Sequence, residues 1–286
     1  MKNQAQFYFG LLCALLFANF SYAYIPEYST LLNKAANQHG KGIYQIEQEV
    51  TFQKDSESYA IKETWLVQNE YNMRVTFEGR GLLKGAVQGV YVYESNSRYF
   101  LDNAGTLRQQ RLTEDWLNPF LVFRSAKYAR QRLVNMKIAP VESLNDRNPL
   151  NSTGSPNYTA PSFIRLSRVG GSICYAIGNA PAALGTVVPT AWLEQDQFVF
   201  RKIRTANNTI WKADDFTKTD DGFWYPKVQS YTWGSYSVTI QTISVKAVAK
   251  SPATEALMRA KSLQGSKDFQ RLPETDALRD FFSRFR

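Results

Sequence analysis

The chain is built largely from segments in which apolar and polar residues alternate. Such alternation places every second side chain on the same face of a β-strand. Because the opposite positions are regularly polar, the pattern predicts antiparallel strands covered on one face. In the three clearest segments, the residues that share a face are Ile46, Gln48, Val50 and Phe52; Tyr59, Ile61, Glu63, Trp65 and Val67; and Met73, Val75 and Phe77.

The same alternation continues for most of the chain. Gly170-Gly171 is a two-residue hairpin signal between two of the later segments. The apolar phase of the last segment shifts between Ile240 and Ile243, which predicts a β-bulge or strong coiling there. Further strands are predicted over residues 90–93, 99–101, 163–168, 172–177, 191–194, 198–203, 209–211, 223–226 and 237–248.

Helical spacing is limited to four segments. They cover residues 27–38, 118–134, 253–263 and 275–286, and 138–161 reads as a long loop rich in Pro, Asn and Ser. The last helix has apolar residues at i, i+3, i+4 and i+7, namely Leu278, Phe281, Phe282 and Phe285. The chain is therefore predicted to be mainly β (α+β), with helices laid over an antiparallel sheet.

The first residues have the anatomy of an export signal. Lys2 precedes an apolar run over 7–20, and Ser21-Tyr22-Ala23 offers a cleavage site, so Tyr24 is the predicted mature start. The run is short for the roughly 20 residues that span a membrane. We therefore expect residues 1–23 to be removed on export.

Removal of residues 1–23 changes the chemistry of the chain. The formal charge falls from +9 to +8, and Cys13 departs, which leaves Cys174 without a disulfide partner. Cys174 lies in an apolar segment, which is typical of a buried packing cysteine. His39, the sole histidine among 286 residues, is expected at the exit of the first helix. Stability must then come from a hydrophobic core.

No catalytic or cofactor motif is found in the sequence. Phosphate loops, nucleophile elbows and Cys/His metal spacings are absent, and no cofactor or metal is expected. Asp214-Asp215 and Asp220-Asp221 lack calcium-loop spacing and are expected beside turns. Glu49 and Glu63 could serve as a glycosidase pair, but a single sequence does not distinguish them from other strand residues, so an envelope hydrolase is the least favoured function.

The net positive charge has two explanations, an acidic binding partner or solubility alone. Nucleic acid does not fit an exported chain whose aromatic residues alternate within strands. An anionic membrane surface suits the compartment better, and solubility alone also accounts for a dispersed charge.

The order of the motifs resembles the periplasmic lipoprotein-carrier group with the LolA/LolB-like fold. The early strand Asn72-Met73-Arg74-Val75-Thr76-Phe77 has an arginine between apolar residues, as in that group. Asn118-Pro119-Phe120-Leu121 is similar to the start of its covering helix. The hairpin from Ala191 to Ile203 and the closing pair from Asp215 to Ile240 follow in the same order.

This resemblance implies a half-barrel, that is, a curved antiparallel sheet forming an incomplete β-barrel covered by helices. It implies a half-barrel domain over 24–250 and a C-terminal helical extension over 251–286. Arg74 would tether a lid helix, although its alternation places it opposite Met73 and Val75. The apolar cavity would be lined by Trp65, Met73, Val75 and Phe77 and, with weaker support, by Trp192, Trp224, Val238 and Ile240.

The leading functional hypothesis is a non-enzymatic periplasmic carrier or sensor that binds a lipid or a lipoprotein acyl chain. The alternative is an envelope interaction protein with a packed core and no ligand, which docks a membrane surface or a protein partner. In that case the apolar stripe of Leu278, Phe281, Phe282 and Phe285 is the expected membrane or partner helix.

Overall fold

A computed structural model describes residues 25–54, 57–145, 161–183, 186–273 and 275–286. The predicted export signal at 1–23 and most of the predicted 138–161 loop lie outside these residues. The described chain forms a 13-stranded antiparallel sheet with four α-helices. The sheet is not closed into a barrel, since β6 and β7 are its two edges. The predicted mainly β fold with an open antiparallel sheet is confirmed.

Twelve of the thirteen strands described overlap predicted segments; the strand Leu107–Arg111 is not predicted, and Ile210–Lys218 and Trp224–Trp233 extend well beyond the predicted segments 209–211 and 223–226. The bounds of the strands are β1 (Ile43–Lys54), β2 (Glu57–Asn69), β3 (Asn72–Gly79), β4 (Gln88–Glu94), β5 (Ser97–Leu101), β6 (Leu107–Arg111), β7 (Ile164–Val169), β8 (Ser172–Ile177), β9 (Thr190–Glu194), β10 (Phe200–Arg204), β11 (Ile210–Lys218), β12 (Trp224–Trp233) and β13 (Tyr236–Val248).

The helices are shorter than the sequence pattern predicts. They are α1 (Tyr28–Ala36), α2 (Ala126–Asn135), α3 (Pro252–Leu257) and α4 (Asp276–Arg284). The predicted 118–134 helix is divided into a 3-10 turn, Asn118–Leu121, and α2. The reason is local, because Ser125 is extended and its side chain accepts a hydrogen bond from the Tyr128 N–H, which starts a new helix.

The sheet is held together at its centre by the two longest strand pairings. Its order is β6-β5-β4-β3-β2-β1-β13-β12-β11-β10-β9-β8-β7, so β1 joins two meanders by pairing with both β2 and β13. In this register Val50 lies opposite Ile61 on one side and Ile240 on the other. The pairing skips Ile243, which confirms the predicted irregularity in β13.

The two faces of the sheet bury different amounts of apolar surface. The inner face, which contains Val50, Trp65, Val75 and Ile240, forms the main core together with α1, α2 and α4. The outer face has small clusters only, one of which is Val90, Val92, Leu101 and Leu263. The inner face therefore holds the main apolar core of the molecule.

Cys174 belongs to the second outer cluster, with Ala176 and Trp192. It is fully buried, which confirms the prediction of a packing cysteine. Burial raises the pKa of the Cys174 thiol to about 11, so the thiolate needed for nucleophilic chemistry is disfavoured.

His39 follows α1, as predicted, but it is buried and not solvated. Its ring lies 4.7 Å from the ring of Phe123, and a β-bridge pairs it with Phe223. Burial and, to a smaller extent, the charge of Arg124 together lower the pKa of His39 to about 3. The imidazole is therefore a neutral core group in the folded protein.

This burial predicts a pH dependence of stability. His39 has its ordinary pKa of 6.5 in the unfolded chain and a pKa of about 3 in the folded one. Its contribution is therefore complete above pH 6.5 and is lost as the pH falls towards 3, at about 1.4 kcal/mol per pH unit. Urea unfolding of wild type and His39→Gln between pH 7 and pH 5 measures it. We expect the variant to lack this slope, and equal slopes would contradict the assignment, since His39 is the only histidine.

Candidate ligand site on the inner face of the sheet

Helix α4 lies on the inner face and covers it. Asp276 stands in its first turn and Arg284 in its last, and both charges suit the helix dipole. Its apolar stripe faces the sheet: Leu278, Phe281 and Phe282 are buried, as is Phe285 at the C-cap. The helix therefore occupies the space that a half-barrel would offer to a ligand.

The stripe is held by aromatic contacts with four strands. Phe281 packs edge-on against Phe52 of β1, with ring centroids 5.0 Å apart. Phe282 contacts Phe77 of β3 at 4.6 Å, and it reaches Tyr91 of β4 at 6.1 Å. Phe285 lies between two rings of β12, Tyr231 at 4.8 Å and Trp233 at 4.9 Å. Sheet residues from both sides of β1 thus meet on one short helix.

Polar contacts hold the rim of α4. The indole N–H of Trp233 donates to Asp280 at 2.7 Å. Arg284 donates to Asp115 at 2.6 Å and to the hydroxyl of Thr209 at 2.8 Å. These bonds join the helix to β12, to the loop before the 3-10 turn and to the loop before β11.

An ion pair lies underneath the helix, in the interior of the protein. Nε of Arg286 donates to Oε1 of Glu63 at 2.7 Å, and the two residues are only 2% and 0% exposed. The other carboxylate oxygen of Glu63 accepts from Gln48 Nε2 at 2.6 Å and from Trp65 Nε1 at 3.0 Å. Burial by itself would lower the pKa of Arg286, but the charge of Glu63 and the nearby tyrosines raise it above its ordinary value. The arginine is charged.

Arg98 is the second buried cation near the helix. It donates to the carbonyl oxygens of Phe282 and Arg286 and to the side-chain oxygen of Gln110. Its guanidinium also lies over the rings of Tyr91, at 4.6 Å, and Phe100, at 5.6 Å. It caps the carbonyl end of α4, where a cation is favourable.

The space left on the inner face is small. A cavity of about 80 Å³ remains between the start of α4 and the adjoining ends of β1, β2 and β13. Phe52, Tyr59, Leu83 and Leu278 contribute its apolar walls. A drug-sized ligand needs roughly 300 Å³ or more, so this cavity is too small for one while α4 is in place.

A much larger open cleft lies at one end of the sheet, between α2 and the turns that enter β3, β5 and the 3-10 turn. Its volume is about 1310 Å³ and its walls are mainly polar. Trp116 at its base stacks on Tyr93 at 4.3 Å, so the cleft adjoins the aromatic core. Its cationic residues are Arg111, Lys127 and Arg132, and Glu114 is its acidic one.

The structure brings together most of the predicted cavity residues. Six of them belong to the main core on the inner face: Trp65, Met73, Val75, Phe77, Val238 and Ile240. They contact helices and one another, and whether they bind a ligand stays a prediction.

Trp192 and Trp224 are not part of this group. Trp192 packs on Cys174 and Ala176 on the outer face, under the ammonium of Lys202 at 4.7 Å. All five residues of β9 are buried, so both faces of this strand are covered. Apolar residues therefore occupy both faces, and the sequence pattern does not show that Trp192 faces outwards. Trp224 is only partly buried, because its neighbours Phe223 and Tyr225 take the inner positions.

Arg74 also lies on the outer face, opposite to the cavity residues. It donates to the carbonyl oxygen of Leu257 at 3.3 Å and to the Ser262 hydroxyl at 3.1 Å. It therefore holds the end of α3 against the outside of the sheet. No lid over the inner face depends on this arginine.

The stripe of α4, expected on a membrane or partner helix, is buried within the chain. Leu278 is 3% exposed and Phe285 is 0% exposed. An amphipathic helix that packs on its own core has the same pattern as one that binds a membrane, so the sequence alone does not separate the two.

Four important residues were not predicted as site residues: Glu63, Arg98, Trp116 and Arg286. For Glu63 a signal existed, since it interrupts an otherwise apolar face from Tyr59 to Val67, as Gln48 does in β1. Polar residues at such positions are buried and need partners. Glu49, by contrast, is exposed on the outer face, so it does not form a catalytic pair with Glu63.

The described residues include neither a membrane-spanning helix nor a cluster of metal-binding side chains. None of the helices described is long and apolar enough to cross a membrane. Within the same residues, no group of three or more His, Cys, Asp or Glu side chains could hold a metal ion.

The chain is similar to several solved structures. One is a domain from Vibrio parahaemolyticus assigned to the outer membrane lipoprotein-sorting proteins, with 10% identity, a TM-score of 0.49, and coverage of 82% of this chain and 97% of that one. A LolA superfamily protein from Nitrosomonas europaea is 9% identical, with a TM-score of 0.49, and the similarity covers 81% of this chain and 98% of that one. A DUF1329 family protein from Desulfovibrio piger is also 9% identical, with a TM-score of 0.49, and the similarity covers 84% of this chain and 100% of that one.

Neither the protein-family models nor the curated proteins contain a match to this sequence. The Vibrio parahaemolyticus and Nitrosomonas europaea structures have names of the group that the sequence motifs resemble. At about 10% identity the similarity concerns the fold and says nothing about ligand or activity.

The buried ion pair predicts an asymmetric response to substitution. Arg286→Gln leaves the carboxylate of Glu63 buried without a cation and is expected to lower the unfolding free energy by about 3–5 kcal/mol. The double variant Glu63→Gln/Arg286→Met removes both charges and should lose clearly less. Denaturant unfolding measures both.

The matched control is Arg279→Gln on the solvent side of α4. Arg279 pairs with Asp276 at the surface, at 2.8 Å, and its loss is expected to cost no more than about 1 kcal/mol. A similar, small effect at Arg286 would show that the buried pair does not hold the helix.

Proposed function

We propose that this protein is a non-enzymatic periplasmic carrier or sensor of a lipid or lipoprotein acyl chain, which binds on the inner face of the sheet in place of α4. The observation that supports this most directly is the position of α4. This nine-residue helix covers the part of the apolar inner face that contains Phe52, Phe77 and Tyr231, in a sheet that is open.

The exchange of α4 for an acyl chain is close to balanced. Burying four large apolar side chains is worth about 1.5–3 kcal/mol each, or about 6–12 kcal/mol in all. An acyl chain of about twelve carbons gains about 9 kcal/mol at ~0.8 kcal/mol per CH₂. Helix and ligand are therefore matched competitors for the same surface, and moderate changes decide between them.

The connection of α4 to the sheet permits this exchange. Residues 264–273 contain no helix or regular strand, and they follow an α3 segment that Arg74 holds on the outer face. Undocking α4 breaks contacts on the inner face and leaves the order of the strands intact. The rest of the inner-face core then remains as a preformed site.

This function requires no covalent step and no cofactor. The export signal anatomy at 1–23 supports a periplasmic location. An acyl chain or a lipoprotein is the proposed partner. The positive charge of the chain is compatible with delivery at an anionic membrane surface.

The alternative is an envelope interaction protein with a packed core and no ligand. It is favoured by the filled inner face, where about 80 Å³ remains. The large polar cleft beside α2, with Arg111, Lys127 and Arg132, would then be the surface that contacts a membrane or a protein. The binding experiments that follow also test this alternative, which expects that no lipid binds.

Competition between helix and ligand gives a characteristic prediction. Phe281→Ala removes a ring that contacts Phe52, Tyr231 and Trp233, and so weakens the docking of α4. We expect the affinity for a fluorescent monoacylglycerol, which is uncharged, to rise at least about tenfold. Fluorescence anisotropy of the full-length protein measures it, and Phe77→Glu, in the sheet wall, should abolish binding.

Arg279→Ala is the control, because it changes the exposed side of the same helix. Native mass spectrometry of protein purified from cells should also detect a bound lipid. If no lipid is present, and neither wild type nor Phe281→Ala binds the probe, the carrier function is wrong and the packed-core alternative holds.

A further inference from the structure

We infer that the ligand which replaces α4 is an amphiphile with a cationic, amine-type group, and that this group binds at Glu63. The inference rests on the proposed function and adds the chemical class of the ligand. It is argued from what the inner face retains when Arg286 leaves.

Glu63 projects from the middle strands of the sheet into the apolar core and is fully buried. Its Oε2 keeps two donors from the sheet itself, Gln48 Nε2 and Trp65 Nε1. Both donors are neutral. Its Oε1 has a hydrogen bond from Arg286 Nε, and this is the contact that departs with α4.

A buried carboxylate that loses its cation is strongly unfavourable, because the interior does not solvate the charge. An acyl chain that takes the place of the helix restores the apolar packing around Glu63 and keeps water out, but it offers no donor. A ligand with an ammonium group both fills the space and neutralises the carboxylate. The charge at Glu63 therefore selects among amphiphiles.

The aromatic surroundings of Arg286 support the same conclusion independently. Its guanidinium carbon lies 5.5 Å from the ring centroid of Trp65 and 5.9 Å from that of Tyr231. Both rings belong to the sheet and stay when α4 leaves. A carboxylate beside two aromatic faces is the arrangement that binds alkylammonium groups. In the structure described, the guanidinium of Arg286, which follows α4, occupies the position of that ammonium group.

Arg98 is the competing determinant, because it also loses contacts when α4 leaves. It gives up the carbonyl oxygens of Phe282 and Arg286, and an anionic ligand could replace them. However, Arg98 keeps the Gln110 oxygen and the faces of Tyr91 and Phe100, all of which belong to strands β4 to β6. Among the described residues, Arg286 is the cation paired with Glu63, and it leaves with α4, so the requirement of Glu63 is the greater one.

The test compares three probes with the same ten-carbon chain: decylamine, 1-decanol and decanoate. Isothermal titration calorimetry at neutral pH, below the aggregation limit of each probe, gives their affinities for the full-length protein. We expect decylamine to bind wild type at least tenfold more tightly than 1-decanol, and decanoate to bind most weakly.

Variants at the ion pair identify the residue responsible. Glu63→Gln keeps the shape and is expected to bind decylamine and 1-decanol equally. Arg286→Gln frees the carboxylate and should strengthen decylamine binding at least tenfold, with a smaller effect on 1-decanol. Glu49→Gln, which removes an exposed carboxylate from the outer face, is the matched control and should retain the wild-type preference.

Other outcomes have distinct meanings. Equal binding of decylamine and 1-decanol to wild type and to Arg286→Gln would overturn the cation site while leaving the carrier function intact. Preferential binding of decanoate would overturn it in favour of Arg98. If none of the three probes binds wild type or Phe281→Ala, the carrier function itself is wrong and the cation site is rejected with it.

Discussion

The structure depends on the docking of one short helix into an open sheet. An antiparallel sheet of thirteen strands that does not close leaves an apolar inner face, and α1 and α2 do not cover all of it. The rings of Phe281, Phe282 and Phe285 complete that core, and the Glu63–Arg286 pair anchors the residues that follow the helix to the sheet. Both meanders, on either side of β1, contact α4, so the helix is a second connection between them besides the pairings of β1.

Two kinds of force act on this helix, and they differ in selectivity. Apolar burial is strong but non-directional, and any chain of suitable volume can supply it. The ion pair contributes little net stability when complete, because both charges have been removed from water, but it penalises any occupant that cannot satisfy it. Under the proposed function, the apolar contacts accept many occupants, whereas the buried carboxylate of Glu63 favours an occupant that carries a positive charge. The two together would make the site selective. A core built only for stability would gain from an apolar pair at these positions.

The polar groups outside the inner face have structural explanations. Arg74 fixes the C-terminal extension on the outer face, and Arg284 joins α4 to Asp115 and Thr209. His39 and Cys174 are buried and held in their neutral forms by desolvation. Both side chains are thus part of the packing of the described structure.

The sequence by itself determined most of the strands, the irregularity at Ile243 and the amphipathic character of the last helix, but not β6, whose residues are all exposed. These are local properties, since the period of the apolar residues and the turn residues act over a few positions. It also placed Glu63 and Gln48 on apolar faces, although nothing local showed that they meet. Only the tertiary structure decided that the stripe of α4 faces inwards, that Trp192 and Trp224 face outwards, and that Arg286 reaches Glu63 across 223 positions of the chain. Such pairings depend on which surfaces remain uncovered after the sheet has formed, and an amphipathic helix has the same sequence pattern whether it covers its own core or a foreign one.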